Sequence, residues 1–177
     1  MVVLSGYKVA GMAREQQCAS IAEGLKRAHE LAAPAGITVV IEVINTKAKI
    51  EPLNPKGDNH ANYFLDRTDE AFDILRRVDG PHVKLLYDLY HVQIMEGNLI
   101  KTIQENIAAI GHIHVGDVPQ RHEPGTGEIQ FENVFRSIHE TGYSGFAGME
   151  YIPSKPAMKT LADVKAMVRR SASSRPR

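Results

Sequence analysis

The chain has 177 residues, enough for one domain with a real hydrophobic core. Apolar residues make up 43% and charged residues 24%, a globular rather than a disordered balance. The 21 basic and 21 acidic residues cancel, which argues against a nucleic-acid surface as the main business.

In chain order, Val2–Ser5 is a β-branched and apolar run closed by Gly6, and it predicts a strand. A two-glycine loop leads to a helix over Arg14–Ala33, striped by Ile21, Leu25, Ala28 and Leu31–Ala32 and stopped by Pro34-Ala35-Gly36. Ile37–Ile44 is continuously apolar, as a strand covered on both faces should be, with Glu42 near its end and Asn45 just after. Thr46–Asn62 is a long polar connection, of a length that is usually functional or mobile. Thr68 or Asp69 can cap a helix that runs through Arg77, with Ala71, Phe72, Leu75 and Val78 facing inward. Val83–Tyr87 is a short buried strand that ends on Asp88, and His91 follows three residues later. Helix Asn98–Ala109, strand Gly111–Val115, helix Phe131–Glu140, strand Phe146–Glu150 and helix Leu161–Arg170 complete a single domain over residues 1–170. Residues 171–177 read as a frayed tail.

Single Cys18 allows no internal disulfide and fits a reducing, cytoplasmic compartment. No apolar run approaches the roughly 20 residues of a membrane span, and no signal-peptide pattern opens the chain.

Strand and helix alternate five times, which argues for a parallel sheet with crossover helices. Alternation alone does not separate a barrel from an open doubly wound sheet. The acids and histidines say more. Taken alone, Asp88 reads as a helix-capping aspartate with a surface histidine after it. The pattern recurs, however: Glu42, Asp88, His114 and Glu150 all fall at or just past strand ends. Their separations are 46, 26 and 36 positions (42 to 88, 88 to 114, 114 to 150). One strand–helix unit of a (β/α)₈ barrel averages about 30 residues. Four neighbouring strands would each deliver one oxygen or nitrogen to the same rim. Three carboxylates and one imidazole suit Mn²⁺, Mg²⁺ or a related divalent ion. Glu42 and Glu150, each inside an apolar context, are the hardest to read as surface residues.

The remaining polar residues receive plainer readings. His29, His60, His82 and His139 are expected to be solvated on helices or loops. His112 is expected to face the helices, away from His114, and His122 is assigned to the rim. Asp117 and Glu123 are candidates for the rim's polar network. Gly125-Thr126-Gly127 lacks the following Lys-Ser/Thr of a phosphate loop.

Several long motifs resemble the hydroxypyruvate isomerase family, within the xylose isomerase-like TIM barrels. They are Ile41-Glu42-Val43-Ile44-Asn45, Tyr87 through Gly97 (Tyr-Asp-Leu-Tyr-His-Val-Gln-Ile-Met-Glu-Gly) and Ile110-Gly111-His112-Ile113-His114. Arg121 through Ile129 (Arg-His-Glu-Pro-Gly-Thr-Gly-Glu-Ile) and Gly148-Met149-Glu150-Tyr151 follow in the same order. Val43 stands where that family usually has proline. The resemblance implies a (β/α)₈ barrel with one divalent metal ion, Mn²⁺ or Mg²⁺, held by Glu42, Asp88, His114 and Glu150. It implies that Glu42 and Glu150 also move the proton, while His91 and Arg121 contact oxygens of a small hydroxy-carbonyl substrate. The implied reaction is hydroxypyruvate to tartronate semialdehyde through an enediolate. His114 stands where hydroxypyruvate isomerases often have glutamine, which keeps a ketose 3-epimerase open as an alternative. A metal-dependent endonuclease of the same barrel group fits less well, because it would want more ligands and a basic face.

By the same resemblance, Val2–Ser5 aligns with the fourth strand of the family barrel, so about five of the eight units are expected here. That leaves an inactive truncated remnant as a further reading. It also leaves two unpaired sheet edges and an inner face drawing on residues such as Val39, Ile41, Leu86 and Ile113. Association into a homo-oligomer is the expected consequence.

Overall fold

The computed structural model describes residues 1–47 and 60–173. Five parallel strands form one sheet: β1 (Val2–Val3), β2 (Val39–Glu42), β3 (Val83–Asp88), β4 (Ile110–Val115) and β5 (Ala147–Met149). Their spatial order is β1-β2-β3-β4-β5, the same as their order in the chain. A doubly wound sheet reverses direction at a switch point, and this one does not. The sheet is therefore an arc of a (β/α)₈ barrel, five strands wide, and the choice left open by alternation is settled by strand order.

Helices α1 (Arg14–Ala32), α2 (Thr68–Val78), α3 (Leu89–Met95), α4 (Leu99–Asn106), α5 (Phe131–Glu140) and α6 (Ala157–Ser173) form the outer layer. α1 packs on α2, α4 on α5 and α5 on α6. The first turn of α2 is capped from a distance: Glu96 accepts from the Thr68 amide at 2.8 Å and from its hydroxyl at 3.0 Å. Neither Thr68 nor Asp69 occupies the capping position, which falls on Arg67. β1, β2 and β5 are shorter than expected, β3 and β4 each gain one residue (Asp88 and Ile110), and α3 takes the residues from Leu89 onward. Most of the Thr46–Asn62 connection lies outside the described residues; its end forms a single 3₁₀ turn at His60–Asn62. The supposed tail is helical as far as Ser173.

The sheet's two faces separate cleanly. Val39, Ile41, Leu85, Tyr87, Ile113 and Val115 join the helices in the main core and are at most 1% exposed. Val39, Ile41 and Ile113 thus face the helices, not the barrel interior. The inner face instead carries Val40, Glu42, Lys84, Leu86, Asp88, His112 and His114, as the register pairs show: Val40 with Lys84, Glu42 with Leu86, Leu86 with His112, Asp88 with His114. His112 therefore shares a face with His114, correcting the expectation that it points to the helices. Residues two apart on a strand lie on the same side, and the two imidazoles meet edge to face at 5.1 Å. Gly148, paired with His114, makes room for both, since a Cβ there would lie 2.9 Å from His112 Nε2 and 3.1 Å from His114 Cδ2.

Two other histidines depart from the solvated reading. His29 of α1 and His82, just before β3, stack at 5.9 Å and bury their Nδ1 atoms.

Candidate functional site

Each of the four strand-end residues offers one ligand-type atom, and these atoms of Glu42, Asp88, His114 and Glu150 all lie within 4.8 Å of one another. His114 Nδ1 sits at the centre, 3.0 Å from Glu150 Oε2, 3.6 Å from Glu42 Oε1 and 3.8 Å from Asp88 Oδ2. This buried nitrogen lies in ion-pair range of all three carboxylates and has no hydrogen-bond partner among the described residues.

Local structure explains the convergence. Glu42 is the last residue of β2, and its carbonyl accepts the Tyr63 hydroxyl at 3.2 Å. The same hydroxyl accepts the Ser5 amide at 3.0 Å, which ties the exits of β1 and β2 together. Asp88 ends β3 and starts α3: its Oδ1 accepts the amides of Tyr90 and His91. Its Oδ2 is left for the site. Glu150 follows β5, with its amide bonded to the Val115 carbonyl at 3.0 Å. It differs from the expectation of burial, because its side chain is 45% exposed at the open end of the arc, while Asp88 is 1% exposed.

His91 and Arg121 are both brought to this cluster and are both buried. His91 Nδ1 accepts the Asn45 amide at 3.2 Å and lies 2.6 Å from the Asn45 side-chain nitrogen. That leaves the ring proton on Nε2, which points to Asp88 Oδ2 at 3.7 Å. Burial pulls the His91 imidazolium down to about 3, with nearby Arg121 adding to the effect, so the ring is neutral. Arg121 Nη2 donates to Asp88 Oδ2 at 3.4 Å and to Glu150 Oε2, and its guanidinium lies over the Tyr90 ring at 5.0 Å.

The groups of the cluster shift one another's proton affinities in different directions. Burial pushes Asp88 above the ordinary carboxylate range, against the pull of Arg121. Burial acts the same way on Glu150, but the His114 and Arg121 cations outweigh it and hold that carboxyl low. Burial disfavours the His114 cation, yet Glu150 and Glu42 beside it raise its affinity for a proton overall.

The donor set fits a divalent cation. Three carboxylates against one guanidinium leave two negative charges, which such an ion balances with His114 neutral. Oxygen-rich donors with a single imidazole suit Mg²⁺ or Mn²⁺.

Asp117, a candidate for the rim's polar network, is the hub of the loop that presents Arg121. Asp117 Oδ2 accepts the amides of Gly125, Thr126 and Gly127, and Oδ1 those of Val118 and Ile129, all at 2.9–3.2 Å. Only glycine fits at 127, where a Cβ would lie 1.8 Å from the Val118 carbonyl oxygen. Glu123 accepts the Ser154 amide and hydroxyl, which joins this loop to the segment after β5. His122 sits at the rim, with Nδ1 donating to the Ile152 carbonyl at 2.6 Å. Asn45 received no role from the sequence beyond its place after Glu42, and it is the partner of His91 Nδ1.

A family model for the xylose isomerase-like TIM barrel matches residues 1–170. The chain belongs to that family. It is 36% identical over 151 residues to the 2-oxo-tetronate isomerase of Cupriavidus necator, covering 85% of this chain and 54% of that one. It is 34% identical over 164 residues to the hydroxypyruvate isomerase of Escherichia coli, covering 93% of this chain and 58% of the relative. Among solved structures, the Brucella melitensis AP endonuclease, family 2, superposes with a TM-score of 0.78 at 33% identity, over 89% of this chain and 57% of that one. The chain thus spans about half the length of the curated relatives it matches. No described helix is long and apolar enough to cross a membrane.

Proposed function

We propose that this chain carries the reacting groups of a metal-dependent aldose–ketose type isomerase acting on a small hydroxy-carbonyl compound. Hydroxypyruvate, interconverted with tartronate semialdehyde, is the substrate that the family resemblance and the E. coli relative favour. The observation that carries the reading is the convergence of four ligand-type atoms from four successive strand ends. Glu42, Asp88, His114 and Glu150 would hold one Mn²⁺ or Mg²⁺, which supplies Lewis-acid polarisation of the carbonyl and hydroxyl oxygens when bound.

The chain's own groups do the rest. One of Glu42 and Glu150 takes the proton from the hydroxyl-bearing carbon, and the other returns a proton to the neighbouring carbon after an enediolate. The hydroxyl proton passes to the former carbonyl oxygen, so atoms balance. Neutral His91, held by Asn45, keeps its Nε2 proton beside Asp88, where it would donate to a substrate oxygen. Arg121 supplies the positive charge that a carboxylate substrate needs. A reducing, cytoplasmic setting agrees with one buried free thiol, Cys18.

The test is direct. The purified chain should contain a divalent ion, or gain stability with Mn²⁺ by about 2.7 kcal/mol at a hundred times the dissociation constant. In a full-length relative numbered on this chain, Glu42→Gln and Glu150→Gln should each cost about 10² to 10⁴ in turnover. Metal content must be measured in each variant, because both glutamates are also proposed ligands. Absence of metal together with no thermal shift would sink the reading. A ketose 3-epimerase is the second reading, and His114 in the proposed ligand set is the feature that favours it; a series of 2-ketoses, assayed for inversion at C3, decides between them.

A further inference from the structure

We infer that Arg121 is a built-in counter-ion of the ligand cluster, holding Asp88 and Glu150 together without metal and competing with a divalent ion for them. The inference rests on the metal reading above and adds to it a role for one residue.

The guanidinium is inside the cluster, not beside it. Nη2 donates to Asp88 Oδ2 and Glu150 Oε2, the same two oxygens that face His114 Nδ1. Nε donates to the Glu150 carbonyl at 3.4 Å, and the Tyr90 ring covers the guanidinium carbon at 5.0 Å. The residue is only 6% exposed. Its backbone is fixed as well. Its amide donates to the Asp117 carbonyl at 2.9 Å, its carbonyl accepts the Ile152 amide at 2.7 Å, and φ is +56°.

An ion that takes both oxygens would stand next to a cation already bonded to them. Like charges so close oppose each other, and the pinned backbone lets only the side chain give way. The consequences run in two directions. Without metal, the arginine screens the Asp88 and Glu150 carboxylates, which would otherwise repel. With metal, it is displaced from those oxygens and lowers the ion's affinity, and its fork is released for an anionic group.

The experiment compares wild type, Arg121→Gln and Arg121→Lys as the 177-residue chain. Mn²⁺ binding is read from the free-ion electron paramagnetic resonance signal, and Tm is measured with and without Mn²⁺. Arg77→Gln, which removes an exposed arginine paired with Glu15, controls for net charge. Arg121→Gln should bind Mn²⁺ more tightly by about tenfold or more, the effect of removing one like charge from beside the ion. Its metal-free Tm should fall, and saturating Mn²⁺ should close the gap. Arg121→Lys keeps the charge and should stay within a few-fold of wild type. Equal or weaker Mn²⁺ binding by a cooperatively unfolding Arg121→Gln overturns the inference while the metal reading stands. A wild type that binds no Mn²⁺ removes both. If Arg121→Gln folds only in Mn²⁺, the inference holds; if Mn²⁺ does not rescue it, the inference is wrong.

Discussion

Asp88 and His91 are joined through both oxygens of one carboxylate: the His91 amide donates to Oδ1 at 3.2 Å, and His91 Nε2 lies 3.7 Å from Oδ2. Helix capping and site chemistry are therefore not competing explanations of this aspartate. Oδ1 starts α3, and by starting it sets the histidine one turn on against Oδ2.

Two substitutions should separate those roles. Asp88→Asn keeps an acceptor for the cap and loses the charge. Asp88→Ala loses both. The alanine variant is expected to be less stable than the asparagine variant by about 1 kcal/mol, the usual worth of an N-cap. Both should lose Mn²⁺ binding. Chemical denaturation and calorimetric titration of the pair check this, and equal stabilities would mean that the cap contributes nothing.

Asp117 should matter more for folding than any residue of the cluster. Five amides converge on its carboxylate, two from the buried residues Val118 and Ile129 and three from the exposed turn Gly125–Gly127, and Asp117→Ala would leave them without that acceptor. At about 1–3 kcal/mol for each buried donor left unsatisfied, the two buried amides alone predict a loss of about 2–6 kcal/mol, with water free to serve the exposed three. Asp117→Asn should fall between, because its amide nitrogen cannot accept. Urea midpoints of the three proteins give the order.

Glu123 gives a pH-dependent contribution with a definite sign. Burial opposes its ionisation, but the Ser154 hydroxyl and amide outweigh burial and hold its carboxyl below the ordinary value. A folded-state value below the unfolded one adds stability above the unfolded carboxylate range, and that stability is lost as pH falls through the folded value. Glu123→Gln should therefore be destabilised relative to wild type at pH 7. The gap should close in acid, and a Tm series from pH 7 to pH 3 measures it. A gap that widens in acid would contradict the assignment.

The two sheet edges predict self-association. β1 pairs only with β2 and β5 only with β4 among the described strands. Beside them Val2, Leu4 and Phe146 are 49%, 58% and 82% exposed. Open edges with apolar neighbours invite pairing with another chain. Light scattering on the isolated chain should show concentration-dependent association, and a hydroxypyruvate isomerisation assay should show low turnover. Phe146→Lys with Leu4→Lys should reduce the association without lowering Tm. A monodisperse, fully active monomer would overturn this expectation.

Much of this was legible in the sequence, and the gaps have physical causes. The four converging residues stood out because an acid at the end of an apolar strand is costly and so conspicuous. α1 and α5 were found within a residue, since their apolar stripes and stops are local signals. α3 was not, because its cap is a residue already read as a strand end. His112 was misplaced by treating strand neighbours two apart as opposite. Asp117 and Asn45 act through backbone amides and a ring nitrogen of residues distant in sequence or defined only by the loop's fold. Nothing in residue type or spacing announces such bonds. The exposure of Glu150 depends on what stands beyond β5, which composition does not reveal.

The convergence of the four ligand atoms also measures how far the sheet is bent. Four adjacent strands laid flat would spread their tips over about 14 Å, three spacings of roughly 4.8 Å. Here atoms from all four fit within 4.8 Å of one another, because the strands curl inward and their side chains close the rest. An ion gripped by all four would act as a clasp on that curl. It would resist any flattening of the arc at its rim while leaving the opposite ends of the strands untouched. Loading the cluster should therefore stiffen one end of the sheet, and amide exchange at Val43, Leu89 and Val115 should slow more than at Val39, Val83 and Ile110.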